Sequence, residues 1–182
     1  EGFEEGNQKQ SSVIVADAGY GSEQNYQMLE EQQVEAYVKY NYFHKEQKRK
    51  TRNNPFLTQN LFYNSEKDFY FCPIGQHMER IRESERVSKN GYVSRIVHYR
   101  AKRCAECPLR GMCHKSEGNR VIQINHRLNK LRNKAKSLLT SEKGLEYRSK
   151  RPVEVEAVFG QLKSNNRFNR CTMRGLDKVN LE

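Results

Sequence analysis

The sequence Ser12-Val-Ile-Val-Ala-Asp-Ala-Gly-Tyr-Gly-Ser22 places a short apolar run, rich in β-branched residues, directly before a glycine-containing turn. Such a run is typical of a buried β-strand. Ser22 is a favourable N-cap for a helix over residues 23–32, and Val34–Val38 has the pattern of a second strand. Strand, helix and strand in this order predict the repeating unit of a parallel α/β sheet.

Asp17 stands where the first predicted strand meets the glycine turn. Open α/β sheets bind their ligands beyond the carboxyl ends of the strands, and carboxylate oxygens suit Mg²⁺. Aspartate is also common in turns, where its side chain bonds the local backbone. The residues alone therefore leave two interpretations, a metal ligand or a turn-forming aspartate.

A second candidate segment is Arg151-Pro-Val-Glu-Val-Glu-Ala-Val-Phe-Gly-Gln-Leu-Lys163, predicted as a helix with Pro152 in its first turn. Glu156 and Lys163 are seven residues apart, about 20° short of two full turns, so they share a helix face. Glu154 lies about 160° away from Glu156. The shared face of Glu156 and Lys163 indicates either a solvated charged surface or a metal-assisted site beside a phosphate backbone.

The composition favours a polyanionic partner. The 182 residues include 33 Lys and Arg against 22 acidic residues, a net charge of +11, which points first to nucleic acid. A membrane surface is the weaker alternative because no long apolar run or basic amphipathic anchor stands out.

The first residues show no secretory signal, and both ends of the sequence lead us to expect a fragment. Five cysteines without a secretory signal favour metal ligation over disulfides.

Residues 39–55 combine cations with aromatic rings. This segment is either a solvated basic loop or a nucleic-acid contact that uses cations for phosphates and rings for stacking. His44 is interpreted as a packed or surface histidine. The cations taken as candidate DNA contacts are Lys48, Arg49 and Lys50.

The middle of the chain is predicted to be rich in β-structure. Hairpins are expected over residues 61–71 and 80–99, a strand over 121–124, and helices over 128–139 and 141–148. The Asn90-Gly91 pair favours a type I′ turn in the second hairpin.

A cysteine cluster follows the second hairpin. A C-x2-C-x5-C array has a usual ligand spacing for a tetrahedral structural Zn²⁺, and an iron–sulfur cluster requires the same ligands. His114 is an alternative to one thiolate, and reduced cysteines in a small core are the remaining interpretation. Cys171 stands apart and is interpreted as a free thiol. The proposed ligands are Cys72, Cys104, Cys107 and Cys113.

Four segments resemble bacterial insertion-sequence transposases of the DDE class, in the branch with a cysteine-bearing insertion before the catalytic glutamate. They occur in the family's order and cover nearly the whole chain. The segments are Val-Ala-Asp-Ala-Gly-Tyr-Gly-Ser (15–22), Ala-Tyr-Val-Lys-Tyr-Asn-Tyr-Phe-His-Lys-Glu-Gln (36–47), Val-Glu-Ala-Val-Phe-Gly-Gln-Leu-Lys (155–163) and Met-Arg-Gly-Leu-Asp-Lys-Val (173–179).

The resemblance implies a partial RNase H-like core, with Asp17 as the second acid of a catalytic triad and Glu156 as the third. Lys163 matches the lysine that follows the family's glutamate. Tyr147 and Arg151 stand nearest to the tyrosine and arginine expected before it, at a spacing that departs from the usual pattern. Nothing before Asp17 fits the first acid, so we expect the chain as given to be inactive or badly impaired.

The implied activity is DNA cleavage and strand transfer at insertion-sequence ends, with Mg²⁺ or Mn²⁺ as cofactor. The implied partners are transposon-end and target DNA in the bacterial cytoplasm, at the nucleoid; a homodimer is an open alternative. Cations expected to hold flanking backbone, in addition to Lys163, are Arg167, Arg170 and Arg174.

The predicted fold class is therefore α/β in three parts. Residues 1–40 would form the second-acid half of the RNase H-like core, and residues 41–125 the basic segment, β-rich insertion and cysteine knuckle. Residues 126–182 would form a helical part with the glutamate helix. Two other functions stay open: a non-catalytic, metal-stabilised nucleic-acid-binding module, and an RNase H-like nuclease without strand transfer.

Overall fold

The computed structural model describes residues 11–151 and 160–161. Within them the fold is mixed α/β, as predicted, with a two-stranded and a five-stranded sheet. Two short 3₁₀ turns, Ala18–Tyr20 and Thr58–Asn60, accompany the main elements. These are β1 (Val13–Ala16), α1 (Glu23–Glu31), β2 (Glu35–Val38), α2 (Phe43–Glu46), α3 (Arg49–Arg52), β3 (Tyr63–Asn64), β4 (Phe69–Phe71), β5 (His77–Val87), β6 (Val93–Ala101), α4 (Arg110–Cys113), β7 (Val121–Ile124), α5 (His126–Thr140) and α6 (Glu142–Arg151).

The predicted strand–helix–strand unit is confirmed. Strands β1 and β2 are parallel, with Ala16 opposite Val38 at their carboxyl ends, and α1 connects them. The Ser22 hydroxyl accepts a hydrogen bond from the Asn25 amide at 3.2 Å, which caps a free N–H group at the start of the helix. The parallel pair therefore brings the loops after β1 and β2 to one edge.

One apolar core covers this parallel pair. Tyr26 and Leu29 of α1 pack with Val38 and with two buried residues of α5, Leu131 and Ala135. The apolar spacing in α5 is that of an amphipathic helix, whose polar side carries its cations. The Tyr26 hydroxyl donates to the Val38 carbonyl at 2.9 Å, so the buried phenol has a partner.

The second sheet is antiparallel, in the order β3-β4-β5-β6-β7. Both predicted hairpins are present, β3–β4 and β5–β6. Its core is built from side chains that alternate inward along the strands, and Met78 and Tyr99 are completely buried there. The predicted β-rich middle of the chain is confirmed in this sheet.

The predicted type I′ turn between β5 and β6 is wrong. A type I′ turn needs positive φ at both central residues, but only Gly91 has positive φ here, at 81°. The Gly91 amide bonds the Ser88 carbonyl at 3.0 Å, and the Ser88 amide bonds the Tyr92 carbonyl at 2.9 Å. This is the longer loop in which a turn is followed by a left-handed glycine, and Asn90 is released to bond Gln24 at 2.5 Å.

The two sheets are joined through a buried carboxylate at the start of α1. Glu23 is only 7% exposed. One of its oxygens accepts hydrogen bonds from Ser94 at 2.8 Å and Asn125 at 2.6 Å. Tyr92 adds a bond to Gln27 at 3.0 Å. These bonds anchor the hairpin to the helix that follows the Asp17 loop.

A polar network is centred on Asp68, in the turn between β3 and β4. Asp68 accepts hydrogen bonds from Tyr63 at 2.8 Å, Tyr99 at 2.6 Å and Arg80 at 3.2 Å. The Tyr99 hydroxyl also lies 2.7 Å from Nε2 of His126. Burial raises the pKa of Asp68, but the hydrogen bonds from Tyr99, Tyr63 and Arg80 outweigh it and hold the pKa below its usual value.

Asp68→Asn is expected to lose about 1 kcal/mol of stability at neutral pH. This is below the usual range of about 1.5–3 kcal/mol for hydrogen bonds to charged groups, because the Asp68 side chain is 37% exposed and solvent screens its charge. Asparagine tolerates the native φ of 49°. Because the folded-state pKa is lowered, the carboxylate contributes fully above the unfolded pKa of about 3.9. Its contribution is lost as the pH falls through the folded pKa. Urea unfolding of both proteins between neutral and strongly acidic pH tests this; a difference that does not shrink in acid would contradict it.

The chain divides into two compact units, residues 1–137 and 138–182. In the second unit, Ser141 caps α6 through the Gly144 amide at 3.1 Å. Gly144 lies so close to the Leu138 carbonyl that a Cβ would be 2.1 Å from its oxygen. Gly160 and Gln161 are helical and exposed. The three-part division at residues 40 and 125 stays a prediction.

Within residues 11–151 and 160–161, no helix is long and apolar enough to span a membrane.

Candidate active site and nucleic-acid interface

Asp17 lies directly after β1, at the carboxyl edge of the parallel pair. Its side chain is 52% exposed, and Oδ1 is 3.8 Å from the ammonium of Lys39. Lys39 follows β2, and its amide bonds the Ala16 carbonyl at 3.1 Å. The parallel register thus places a carboxylate and an amine side by side at the edge where α/β sheets bind ligands.

Gly21 fixes the distance between the loops that carry these two side chains. A Cβ at this position would be 2.4 Å from the Lys39 carbonyl oxygen and 3.0 Å from Cα of Tyr40. Both neighbours are backbone atoms, so a flexible side chain cannot move aside to make room. Close backbone approach therefore requires glycine here.

Gly21→Ala is expected to lower the free energy of unfolding by about 1–3 kcal/mol, the usual cost of overpacking. It should also move the Asp17 loop away from Lys39. Gly19→Ala is the matched control, because a Cβ at Gly19 meets nothing within 4 Å. Denaturant unfolding of both variants tests the prediction, and equal losses for the two would contradict it.

The other residues of the predicted acid site lie outside the described part of the chain. These are Glu156 and Lys163, with the candidate backbone contacts Arg167, Arg170 and Arg174. Arg151 is the last residue of α6, and Tyr147 is half-buried in the same helix. Arg151 and Glu156 therefore stay predictions as site residues.

The basic segment after β2 forms two short helices, α2 and α3, where one of the two interpretations expected a solvated loop. The amide of Asn60 donates to three carbonyls at the end of this segment, those of Thr51, Arg52 and Asn54. These bonds satisfy carbonyls that a short helix leaves free. The cations Lys48, Arg49 and Lys50 are all exposed.

Aromatic rings accompany these cations at the same edge of the sheet. Tyr20 is 64% exposed in the loop after β1, and Tyr42 is 51% exposed in the loop after β2. The ammonium of Lys45 lies 5.0 Å from the Tyr42 ring centre. His44 is exposed, which agrees with its interpretation as a surface histidine. Exposed rings beside cations are the surface chemistry that binds single-stranded or distorted nucleic acid.

A groove of about 600 Å³ extends from the Asp17 side of α1 along the second hairpin. Its lining joins Gly21, which follows Asp17 in the same loop, to three cations that sequence reasoning missed. Two of them belong to the second hairpin and the third to α5, so the fold brings together cations from two distant parts of the chain. These cations are Arg86, Lys89 and Arg132.

The four predicted cysteine ligands line one small cavity of about 20 Å³, together with His114, Arg110 and Arg120. Cys104 is buried, and the other three are half-buried free thiols. Burial, then the charges of Arg110 and Arg120, lower the pKa of His114. In the described residues, no three histidine, cysteine or acidic side chains form a group with metal-binding geometry. The fold thus brings the four predicted cysteine ligands to one cavity, but their side chains are not arranged as a metal-binding group.

Comparison with known protein families identifies the family to which this chain belongs. The model of the transposase DDE domain matches residues 71–182. This is more than half of the chain, and the chain therefore belongs to the transposase DDE domain family. The matched region contains Glu156 and all the proposed cysteine ligands, while Asp17 lies before it. No curated protein and no solved structure matches the chain.

Family membership identifies a transposase domain, whose substrate is DNA and whose members generally use Mg²⁺ or Mn²⁺. The donor chemistry of Asp17 fits such a hard cation. It is an exposed carboxylate at the sheet edge where a ligand would be placed.

Proposed function

We propose that this chain forms part of the RNase H-like catalytic core of an insertion-sequence transposase, with Asp17 and Glu156 as two of its acids. The observation that carries the proposal is the position of Asp17. It lies at the carboxyl edge of a parallel β-α-β unit, in a chain whose family match contains Glu156. Two acids so far apart in sequence need a fold to bring them to one metal site.

When bound, Mg²⁺ or Mn²⁺ supplies stabilisation of the attacking and leaving oxygens of a phosphodiester. The chain itself contributes orientation and charge. Lys39 holds the Asp17 carboxylate at the sheet edge, and Gly21 keeps the two loops close together. Lys163 and Arg151 are proposed to position the phosphate near the cut.

The proposed partner is the DNA of transposon ends and target, held by its backbone. The net charge of +11, the exposed cations Lys48, Arg49 and Lys50, and the groove beside Gly21 support this partner. Backbone contacts of this kind position the duplex without reading its sequence. We place this activity in the bacterial cytoplasm, at the nucleoid, and leave a homodimer as a proposal.

The acid site is tested with Fe²⁺ as a substitute for Mg²⁺. In the presence of ascorbate and peroxide, iron held by a protein cuts the polypeptide next to its ligands. The expected result is two groups of cuts, around Asp17 and around Glu156, that disappear together when Mg²⁺ is added in excess. Cuts at one acid alone, or at neither, would overturn the shared site.

The cysteine segment provides an internal control for this experiment. In protein from which bound metal has first been removed, iron bound by thiolates would also cut the chain near Cys104, but Mg²⁺ competes poorly for soft sulfur ligands. Cuts near Cys104 should therefore persist in excess Mg²⁺. Their persistence identifies the Mg²⁺-sensitive cuts as those of an oxygen-ligand site.

The chain as given presents two of the three acids, so we propose that strand transfer needs a further acid. The alternative function is a non-catalytic, metal-stabilised nucleic-acid-binding module, in which Asp17 and Glu156 are structural. It is favoured if DNA binding survives without any Mg²⁺-sensitive cuts. A nuclease without strand transfer would show the same cuts and release cleaved ends without joining them.

We also propose that the cysteine cavity binds a structural metal, either Zn²⁺ or an iron–sulfur cluster. The supporting observation is that Cys72, from the end of β4, lines the same cavity as Cys104, Cys107 and Cys113. A metal there would stabilise the β-rich insertion separately from the acid site.

A further inference from the structure

Arg120 is a buried cation that lacks an anionic partner among the described residues. It is 7% exposed and lines the cysteine cavity. Its guanidinium donates to the Cys113 sulfur at 3.0 Å and to the Phe56 carbonyl at 2.6 Å. Its backbone amide donates to the Cys104 sulfur at 3.4 Å. Within residues 11–151, no carboxylate lies within ion-pair distance of Arg120.

A buried arginine needs negative charge nearby. Its guanidinium stays protonated in proteins, and taking an unpaired charge out of water is energetically unfavourable. The sulfur atoms of Cys104 and Cys113 are the groups beside it that can become anionic. Metal binding deprotonates thiols outright, so a metal-bound thiolate cluster would supply the missing charge.

The side-chain amide of Gln76 already joins the two segments that carry the cysteines, through the backbone of Arg103. Gln76 and Arg103 exchange two hydrogen bonds, at 3.0 Å and 3.1 Å. The Cys72 turn is closed by the bond from the Gly75 amide to the Cys72 carbonyl at 2.8 Å, with Gly75 at a φ of 84°. Two tight turns held together side by side are the framework on which cysteines from separate segments can share one ion.

The small size of the cavity favours a single ion over a cluster. A water-sized occupant needs at least about 10–15 Å³ by the same measure, so about 20 Å³ has room for one such occupant. A cube of four irons and four sulfides is several times larger. Because the described side chains do not form a metal-binding group, binding would require the cysteine side chains to turn their sulfur atoms toward this space.

We propose that Cys72, Cys104, Cys107 and Cys113 bind a single Zn²⁺, and that Arg120 neutralises part of the negative charge of the four thiolates. Arg120 is thus a positioning and charge-compensating residue, not a ligand. His114, whose Nε2 is buried without a hydrogen-bond partner among the described residues, is the alternative to one thiolate. This inference rests on the structural metal proposed above and is independent of the acid site.

The test uses the purified 182-residue chain. Elemental analysis is expected to find one zinc per chain, and replacement by Co²⁺ should give the absorption of tetrahedral cobalt bound to thiolates. Cys107→Ser is expected to lose the thiolate-to-cobalt absorption in large part. Cys171→Ser is the matched control, since this fifth cysteine is outside the proposed set, and it should leave metal content and spectrum unchanged.

The role of Arg120 is tested by competition with a chelator. Arg120→Met keeps the length of the side chain without its charge and is expected to weaken zinc binding by about 10- to 100-fold, as loss of an outer-shell partner does. Arg120→Lys should recover part of that loss. Affinity unchanged in Arg120→Met, with circular dichroism like the parent's, would overturn the role of Arg120.

Other outcomes would overturn the single-zinc site itself. A chain without bound zinc and without the cobalt spectrum would do so, as would the visible absorption of an iron–sulfur cluster. If His114→Ala changed the cobalt spectrum, the imidazole of His114 would be a ligand in place of one thiolate, and the four-cysteine site would be wrong. If the chain bound no zinc but still showed Mg²⁺-sensitive iron cuts at Asp17, only the zinc site would be refuted. If the chain bound zinc but showed no such cuts, only the acid site would be refuted.

Discussion

Replacement of Asp17 by asparagine is expected to weaken binding of Mn²⁺ by about 100-fold. Even outer-shell partners of a metal contribute 10- to 100-fold to affinity, and Asp17 is proposed as a direct ligand. Asparagine keeps the size of the side chain but removes the charge that a hard cation requires. Because Asp17 is 52% exposed, the substitution should leave folding intact.

The measurement is a titration with Mn²⁺ that follows the electron paramagnetic resonance signal of the free ion. Glu31→Gln, at the exposed end of α1, is the control with the same loss of charge. Glu156→Gln should reproduce the effect of Asp17→Asn, and the double variant should be little worse than either, because both remove ligands of one site. Full additivity of the two losses would indicate two separate sites.

Reversal of charge at Lys48, Arg49 and Lys50 is expected to weaken DNA binding by about 10²- to 10³-fold at low salt. Each lysine or arginine that contacts a phosphate adds about one to the slope of log affinity against log salt concentration. The triple glutamate variant should therefore bind with a slope smaller by about three. The loss should be nearly equal for unrelated sequences, because phosphate contacts carry no sequence information.

Fluorescence anisotropy with labelled duplexes over a range of salt concentrations measures both quantities. The control carries glutamate at Lys67, Lys134 and Lys143, exposed lysines outside the basic segment, and has the same net charge. Equal losses in the two variants would show that DNA senses only the overall charge and would remove the basic segment from the interface.

Hydrophobic pattern accounts for the elements that sequence analysis predicted correctly. The apolar run of β1, the Ser22 cap and the run of β2 each depend on neighbouring residues, and each formed as expected. The type I′ prediction failed because an Asn-Gly pair also suits the longer loop in which a turn is followed by a left-handed glycine, and the local sequence does not choose between the two. In this loop Asn90 bonds Gln24, 66 residues away.

The candidate site divides in the same way. The position of Asp17 followed from strand and turn, because residues after parallel strands meet at one edge. Arg120 had no such signal. An arginine before a strand looks like any surface cation until the fold buries it against Cys104 and Cys113. Its burial without a carboxylate is a property of the packed structure.

The sequence by itself determined the family, the strand–helix–strand unit and the residue types of both candidate sites, because these depend on short-range pattern and on chemistry that each residue carries alone. Tertiary structure alone decided which side chains share a space. It brought Cys72 to the cysteine array, set Lys39 beside Asp17, and made a groove from Gly21 and the hairpin cations. Distances between residues far apart in the chain arise from packing, which no local pattern encodes.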